Sequence, residues 1–507
     1  MKRKFTLQRI GFFLGPILFL TILQLKLEPG SPEVTKMAAI AVLMSVWWIT
    51  DAIPLYATAL LPIVLYPLLG ISNANDIAPV YFNSVISLFI GGFLIALSME
   101  KWNLHKRIAL FIIKTIGSNP STIILGFMIA SAFLSMWISN TATSIMMLPI
   151  GLAVVSGIES ISGKENTRNF AVSLLIGIAY SCSIGGIATL IGTPPNLSFS
   201  RIFEITFPGA NPISFGSWFM MGLPLSAVLL LASWLVLTKI VFPSKTEIKY
   251  NRSVVKNEYK NLGRMTFEEK VVFLVFIFTA FLWISRQELN IGALKIPGWS
   301  SFIPNPGFID DSTVAVFMAF LLFLIPSRSK NSGSNKILDA DVIKKLPWDI
   351  IILFGGGFAL AKGFQVSGLS FFIGSKFEAL VGINPLIIIL LTCLFITFLT
   401  ELTSNTATTE MVLPILASVS VVMKINPLLI MIPATVSASC AFMMPVATPP
   451  NAVVFGSGRI KISDMAKSGF ILSILGVFIV TLFFYYIGSK IFLIDVNSFP
   501  DWASTGK

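Results

Sequence analysis

Long apolar stretches joined by short polar connections set the pattern of this chain. Clear examples run over Ile10–Leu25, Val271–Ile284, Val314–Ile325 and Phe470–Gly488. A helix rises about 1.5 Å per residue, so roughly 20 apolar residues cross a hydrocarbon layer, and fewer suffice when the ends snorkel. The stretches are continuous rather than alternating, unlike the period-two pattern of a transmembrane barrel. Backbone groups in hydrocarbon must be satisfied within their own segment, which leaves helices. The pattern predicts an all-α polytopic membrane protein with about eleven crossings and additional half-length pieces.

Two of the apolar runs are broken by nearly the same polar cluster. SNTATSIMMLPI (Ser139–Ile150) returns as SNTATTEMVLPI (Ser404–Ile415), 265 positions later. FIGGFLIAL (Phe89–Leu97) and FGGGFALAK (Phe354–Lys362) share that offset, as do Pro149 and Pro414. GTPPN (Gly192–Asn196) answers ATPPN (Ala447–Asn451) at an offset of 255. Motifs recurring in one order, with a single slip between them, identify an internal repeat.

Charge adds orientation. Only 12% of residues are charged and 55% are hydrophobic, against about a quarter charged in soluble proteins. The net charge of +12 does not point to nucleic acid, because the basic residues gather in particular loops. One loop holds Lys245, Lys249, Arg252, Lys256, Lys260, Arg264 and Lys270, and another Arg328, Lys330, Lys336, Lys344 and Lys345. The positive-inside rule makes both cytoplasmic and turns the Lys- and Arg-poor segment with Pro297, Trp299 and Pro304 outward. MKRKFTLQRIGFF reads as the start of a first span with a cytoplasmic N-terminus, not a cleaved signal. The expected location is a plasma membrane, the inner membrane of a bacterium. Lys101, Lys106 and Arg107 precede the first cluster, and Lys164 and Arg168 follow it. Charge-poor segments flank the second. The two clusters are therefore expected to enter the membrane from opposite sides, as inverted repeats with interrupted helices do in secondary transporters.

Each interruption suits a re-entrant hairpin, with arms near Ser121–Ile138 and Thr141–Val155 in the first copy. Non-helical backbone at membrane depth is tolerated only where it lines a cavity or is buried in protein. The arm entering the tip ends in free carbonyls, suited to a hard cation, and the arm leaving it begins with free N–H groups, suited to an anion. Asn140 and Asn405 can serve either through their amide faces, and Thr141 and Thr406 carry hydroxyls. The Thr-Pro-Pro segments at Thr193 and Thr448 unwind two further helices, because proline cannot continue a helix interior. One tip and one unwound helix make one cation cage, and the repeat makes two. Single Ser, Thr or Asn residues in membrane helices often serve only helix packing. Paired and inverted motifs argue for a site.

Other chemistry is sparse. Cys182, Cys393 and Cys440 lie in apolar runs and read as small packers. His105 lacks the partners that a metal site needs. No cofactor is expected. No acid–base pair or nucleophile faces the clusters, which disfavours a membrane-embedded enzyme.

These motifs, together with WWITDAIPLYATALLP (Trp47–Pro62), resemble the divalent anion/sodium symporter family of dicarboxylate and citrate carriers over nearly the whole chain. Asp51 stands where the family signature usually has Glu. The resemblance implies eleven spans, two opposed hairpins, a homodimer, and an elevator in which a transport domain slides against a scaffold. On that pattern 1–119 and 244–380 are scaffold and cytoplasmic loops, 120–243 and 381–493 are transport segments, and 494–507 is an extracytoplasmic tail. It implies Na⁺ as coupling ion, held by Ser135, Ser139, Asn140 and Gly192 in one site and by Thr400, Thr403, Asn405 and Ala447 in the other. The substrate carboxylates are implied at Asn140, Thr141, Thr193, Pro194, Asn405, Thr406, Thr448 and Pro449. The expected function is Na⁺-coupled uptake of C4 dicarboxylates such as succinate, fumarate and malate. An exchanger of dicarboxylate or 2-oxoglutarate, or a proton-coupled carrier, is the second reading. Glu401 precedes the second motif in the family manner. Glu410 occupies a place where the family more often has a small or apolar residue; it is expected to be water-facing or paired, with a proton-binding role as the alternative.

Overall fold

The computed structural model describes residues 2–116, 119–243, 253–291, 294–329 and 335–504. Lys245, Lys249, Arg252 and Lys330, expected in the basic loops, lie outside the described residues. The main helices are α1 (Lys2–Leu23), α2 (Pro32–Thr50), α3 (Ser84–Lys101), α4 (Leu104–Thr115), α5 (Pro120–Ser135), α6 (Asn140–Ser162), α7 (Lys164–Gly186), α8 (Pro194–Thr206) and α9 (Phe215–Leu235). They continue with α10 (Phe267–Ile284), α11 (Asp311–Leu324), α12 (Trp348–Ser367), α13 (Pro385–Thr400), α14 (Asn405–Val422), α15 (Pro427–Ala438), α16 (Pro449–Phe455) and α17 (Ile462–Phe483). Among the described residues, nine helical segments are long and apolar enough to cross a membrane, and five shorter apolar helices accompany them. Among the described residues, the helical pattern is interrupted by a short antiparallel pair between Leu289–Ile291 and Leu294–Ile296 and an isolated bridge between Pro326 and Lys336.

Local chemistry sets the helix ends. Asn119, Thr266 and Asp310 close capping boxes at the starts of α5, α10 and α11, satisfying backbone donors that a helix cannot satisfy itself. Proline opens α2, α5, α8, α13, α15 and α16, where its missing N–H is not needed.

Burial sorts the helices. In α7, 94% of the apolar window is buried, which makes it a central post, whereas only 11% of the α1 window is. On α1, Phe12, Phe13, Ile17 and Leu20 stay exposed, as expected of a lipid-facing helix. One large apolar cluster spans most helices, and a smaller one gathers α2, α12 and the first turns of α14 around Met37, Tyr66, Phe364, Ala407 and Met411. Helix α14 belongs to both, since Leu413 and Ala417 lie in the large cluster.

The two repeats are stitched together. Arg168 and Asp464 pair at 2.9 Å, and Arg459 and Glu159 at 2.6 Å. In the interior, the Tyr180 hydroxyl donates to Phe442 O at 2.6 Å. The sequence offset falls because α6 and α7 run 23 residues each against 18 and 12 for their counterparts α14 and α15, a difference only partly made up by longer connections in the second half. His105 sits on α4 with Nδ1 3.0 Å from Met99 O, and burial pushes its imidazole below the ordinary range against that hydrogen bond. The three cysteines are buried and free.

Candidate functional site

Each sequence-predicted hairpin is a helix pair meeting at a short non-helical tip. The first is α5 and α6, with its tip at residues 136–139; the second is α13 and α14, with its tip at residues 401–404. Ser139 caps α6 by accepting from Ala142 N at 3.2 Å. Each Thr-Pro-Pro segment breaks a helix as expected. Helix α7 stops at Gly186 and α8 restarts at Pro194; α15 stops at Ala438 and α16 restarts at Pro449.

The loops left by these breaks are closed in one register. Asn196 Nδ2 donates to Thr189 O at 2.7 Å and Gly186 O at 3.2 Å. Asn451 Nδ2 donates to Met444 O at 3.1 Å and Ala441 O at 3.3 Å. In each half the acceptors lie seven and ten positions before the asparagine. The last residue of each TPPN motif is thus a clamp on its unwound loop, a role the sequence reading did not assign.

Both tips and both breaks border one cavity of about 1240 Å³. Asn140, Thr141, Thr193, Pro194, Asn405, Thr406, Thr448 and Pro449 all line it. Of the residues expected around sodium, Ser139, Gly192, Thr403 and Ala447 line it as well. Ser135 and Thr400 stand behind the wall, each bonded to the tip asparagine of its own hairpin: Ser135 Oγ donates to Asn140 Oδ1, and Thr400 Oγ1 donates to Asn405 Oδ1 at 2.7 Å.

The first cage is tight. One atom of the Asn140 amide group contacts Ser135 Oγ and lies 3.2 Å from Gly192 O and 3.1 Å from Cys182 O. Turned one way, the amide donates to both carbonyls. Turned the other, amide, hydroxyl and carbonyl oxygens converge, a donor set suited to a hard monovalent cation. The Cys182 carbonyl escaped the sequence reading because backbone groups leave no residue signature. A Cβ on Gly186 would reach both Asn140 Oδ1 and Gly192 O inside normal contact distance, so glycine there permits the close approach.

The second cage is looser. Thr400 also donates to Ala438 O at 2.9 Å, tying the tip to the end of α15. Thr403 is engaged elsewhere, with Leu399 O at 2.9 Å and Thr408 Oγ1 at 2.5 Å. Ala441 and Ala447 stand where the first half has Gly186 and Gly192.

The proline pairs limit what each break can offer. Pro194, Pro195, Pro449 and Pro450 carry no N–H, so α8 and α16 present no donors in their opening positions. Donors for an anion come instead from the starts of α6 and α14 and from hydroxyls. Thr448 Oγ1 already accepts from Asn451 N at 3.3 Å, whereas Thr193 makes no capping bond. Glu401 secures the second break: its carboxylate accepts from the N–H groups of Phe442, Met443 and Met444 at 2.6, 2.8 and 3.1 Å. Among the described residues, the charged side chains on the cavity wall are Asp51, Asp349 and Glu401, and none is basic.

Glu410 departs from expectation. It neither faces water nor forms an ion pair among the described residues. It is fully buried, its Oε1 accepts from Ser198 Oγ, and its Oε2 has no partner. The cause lies in tertiary packing: α8 and α12 close over this turn of α14.

The family defined by the sodium:sulfate symporter transmembrane region matches residues 13–494. The chain belongs to this family. The sodium-dependent dicarboxylate transporter SdcS of Staphylococcus saprophyticus is 42% identical over 496 residues, covering 97% of this chain and 93% of its own. SdcS of Staphylococcus aureus is 42% identical over 498 residues, with the same coverage. Among solved structures, MtrF of Neisseria gonorrhoeae, described with a class of antimetabolite efflux pumps, has a TM-score of 0.55 at 14% identity, covering 95% of this chain and 99% of its own. The YdaH transporter of Alcanivorax borkumensis has a TM-score of 0.54 at 13% identity, covering 84% and 88%. At these identities the likeness is one of fold. The protein is a multi-pass membrane transporter and not an enzyme.

Proposed function

We propose that the protein is a secondary active transporter that couples inward movement of Na⁺ to uptake of C4 dicarboxylates. The observation that carries this reading is the meeting of two amide-bearing hairpin tips and two broken helices on one cavity that has no basic side chain among the described residues. A dianion held only by hydroxyls, amides and helix N-termini is poorly compensated in a low-dielectric site. Cations bound beside it supply the missing charge. Linkage then makes each ligand raise the other's affinity by the same factor.

In this reading Ser135, Ser139, Asn140 and Gly192 hold one sodium, joined by the Cys182 carbonyl. Thr400, Thr403, Asn405 and Ala447 hold the other. Asn140, Thr141, Asn405 and Thr406 meet the substrate carboxylates from the hairpin side. Thr193 and Thr448 present hydroxyls from the other side, while Pro194 and Pro449 offer ring surface. The transport segments 120–243 and 381–493 move as an elevator against 1–119 and 244–380, in a plasma-membrane homodimer with a cytoplasmic N-terminus. The ion pairs joining Arg168 to Asp464 and Arg459 to Glu159 support motion of the two transport segments as one body.

The test is uptake of radiolabelled succinate into proteoliposomes, with an inward Na⁺ gradient or an equal gradient of choline. Empty vesicles accumulate succinate only with Na⁺. Uptake that ignores Na⁺ and requires internal dicarboxylate would make the protein an exchanger instead.

A further inference from the structure

We propose that Glu410 is a resident proton site: its side chain is held as an uncharged carboxylic acid where α8, α12 and α14 meet, and the carrier works only while that proton is in place. The argument begins with its surroundings. The side chain has no exposed surface. Its hydrogen-bond partner among the described residues is the Ser198 hydroxyl, and Oε2 has none. A Cβ on Gly357 of α12 would overlap that oxygen, so this glycine makes the space in which the carboxyl sits.

No countercharge is at hand. Helix α14 packs against α2, α8, α12, α13, α15 and the short helix Leu369–Ser375. The titratable side chains on these are Glu33 and Lys36 on α2, Arg201 and Glu204 on α8, Asp349 and Lys362 on α12, and Cys393 on α13; α15 and Leu369–Ser375 carry none. Arg201 is bonded to Glu204 at 3.0 Å, Lys362 reaches Gln365 at 3.5 Å, and Asp349 lies on the cavity wall. Among the described residues no Lys or Arg comes within ion-pair distance of Glu410. An ionised carboxylate with one hydroxyl partner and one bare oxygen in such a place is strongly disfavoured, and the group takes up a proton instead.

The repeat makes the position informative. Its counterpart 265 positions earlier is Ile145, which is 56% exposed. The first half thus places an apolar side chain outward where the second half buries an acid. Glu410 also stands one turn beyond Thr406, and Ser198 one turn beyond Pro194, both cavity-lining residues. The contact therefore braces two helices whose N-termini face the substrate cavity. Ionisation would force water or a rearrangement into that brace. Glu410 is a positioning residue, because it touches neither cavity nor ligand.

Infrared spectroscopy of the purified protein at neutral pH, without sodium or substrate, reads the proton directly. The wild type shows a protonated-carboxyl C=O band that E410Q lacks; identical spectra overturn the proposal. This readout is independent of the transported ion and anion, so it can fail while the sodium-coupled reading stands. Transport gives the second measurement. E410Q mimics the neutral acid and keeps at least about half of wild-type uptake at neutral pH, since the amide can replace the hydrogen bond. At any alkaline pH that removes the proton, wild-type uptake falls about tenfold per further pH unit, because each unit beyond ionisation changes the protonated fraction tenfold, and E410Q does not follow it. A folded E410Q that is inactive at every pH overturns the proposal. Should E410Q fail to accumulate, E410L serves as the comparison, and infrared spectra of wild type and E410L that are identical in the protonated-carboxyl region overturn the proposal.

Discussion

Asn405→Ala abolishes sodium-driven dicarboxylate uptake, and Asn140→Ala does the same, while both proteins reach the membrane folded. Each asparagine stands at the first helical position after its tip and is only partly buried on the cavity wall. Alanine is a good helix former there, so the fold survives. The chemistry does not. In the first cage the lost amide is the group that meets Ser135, Gly192 and Cys182. In the second it is the partner of Thr400. Contacts to charged groups are worth about 1.5–3 kcal/mol, or roughly 10- to 150-fold in affinity at 1.4 kcal/mol per decade. Because sodium and anion affinities are linked, the loss appears in both. Monodispersity in detergent, uptake, and sodium titration of that uptake separate folding from function. Normal transport by both variants would refute the assignment.

The second large effect belongs to Glu401. Its carboxylate accepts from the consecutive N–H groups of Phe442, Met443 and Met444, so it holds the unwound chain that leads to Thr448. Glu401→Ala takes the acceptor from all three and leaves the buried Phe442 N–H without a partner, at about 1–3 kcal/mol for that donor. The expected result is a fall in thermal stability together with near-complete loss of uptake. Glu401→Gln keeps an acceptor oxygen but not the charge, and falls between. An alanine variant as stable as wild type would show that water replaces the carboxylate and that the loop does not depend on it.

Legibility in the sequence tracked how far each feature depends on distant chain. The helical class, the repeat, the tips at Asn140 and Asn405 and the breaks at Pro194 and Pro449 were local, because proline and clustered hydroxyls disrupt a helix wherever it sits. The clamps at Asn196 and Asn451 were hidden, since their acceptors are carbonyls whose positions follow the path of the loop. Cys182 was read as a packer, and its side chain is buried and free; its carbonyl is what faces the cage. The engagement of Thr403 with Thr408 needs the helix to form first. Glu410 was misjudged for a related reason: its surroundings are made by α12 and α8, far away in sequence, and by the room that Gly357 leaves.

The charge pattern of the cavity wall also bears on how a substrate arrives. With Asp51, Asp349 and Glu401 as its charged side chains among the described residues, the wall presents negative charge to an incoming dianion. Clefts of opposite sign speed encounter by focusing field lines, and that gain shrinks as ionic strength rises. Here the sign is reversed. Added choline chloride at constant Na⁺ quickens initial uptake of dilute succinate, most strongly until the screening length falls to about 10 Å near 0.1 M salt; slower uptake in that titration would mean that the mouth attracts anions after all. On the proposed reading, discrimination among anions then rests on fit and cation occupancy inside the cavity, not on attraction at its entrance.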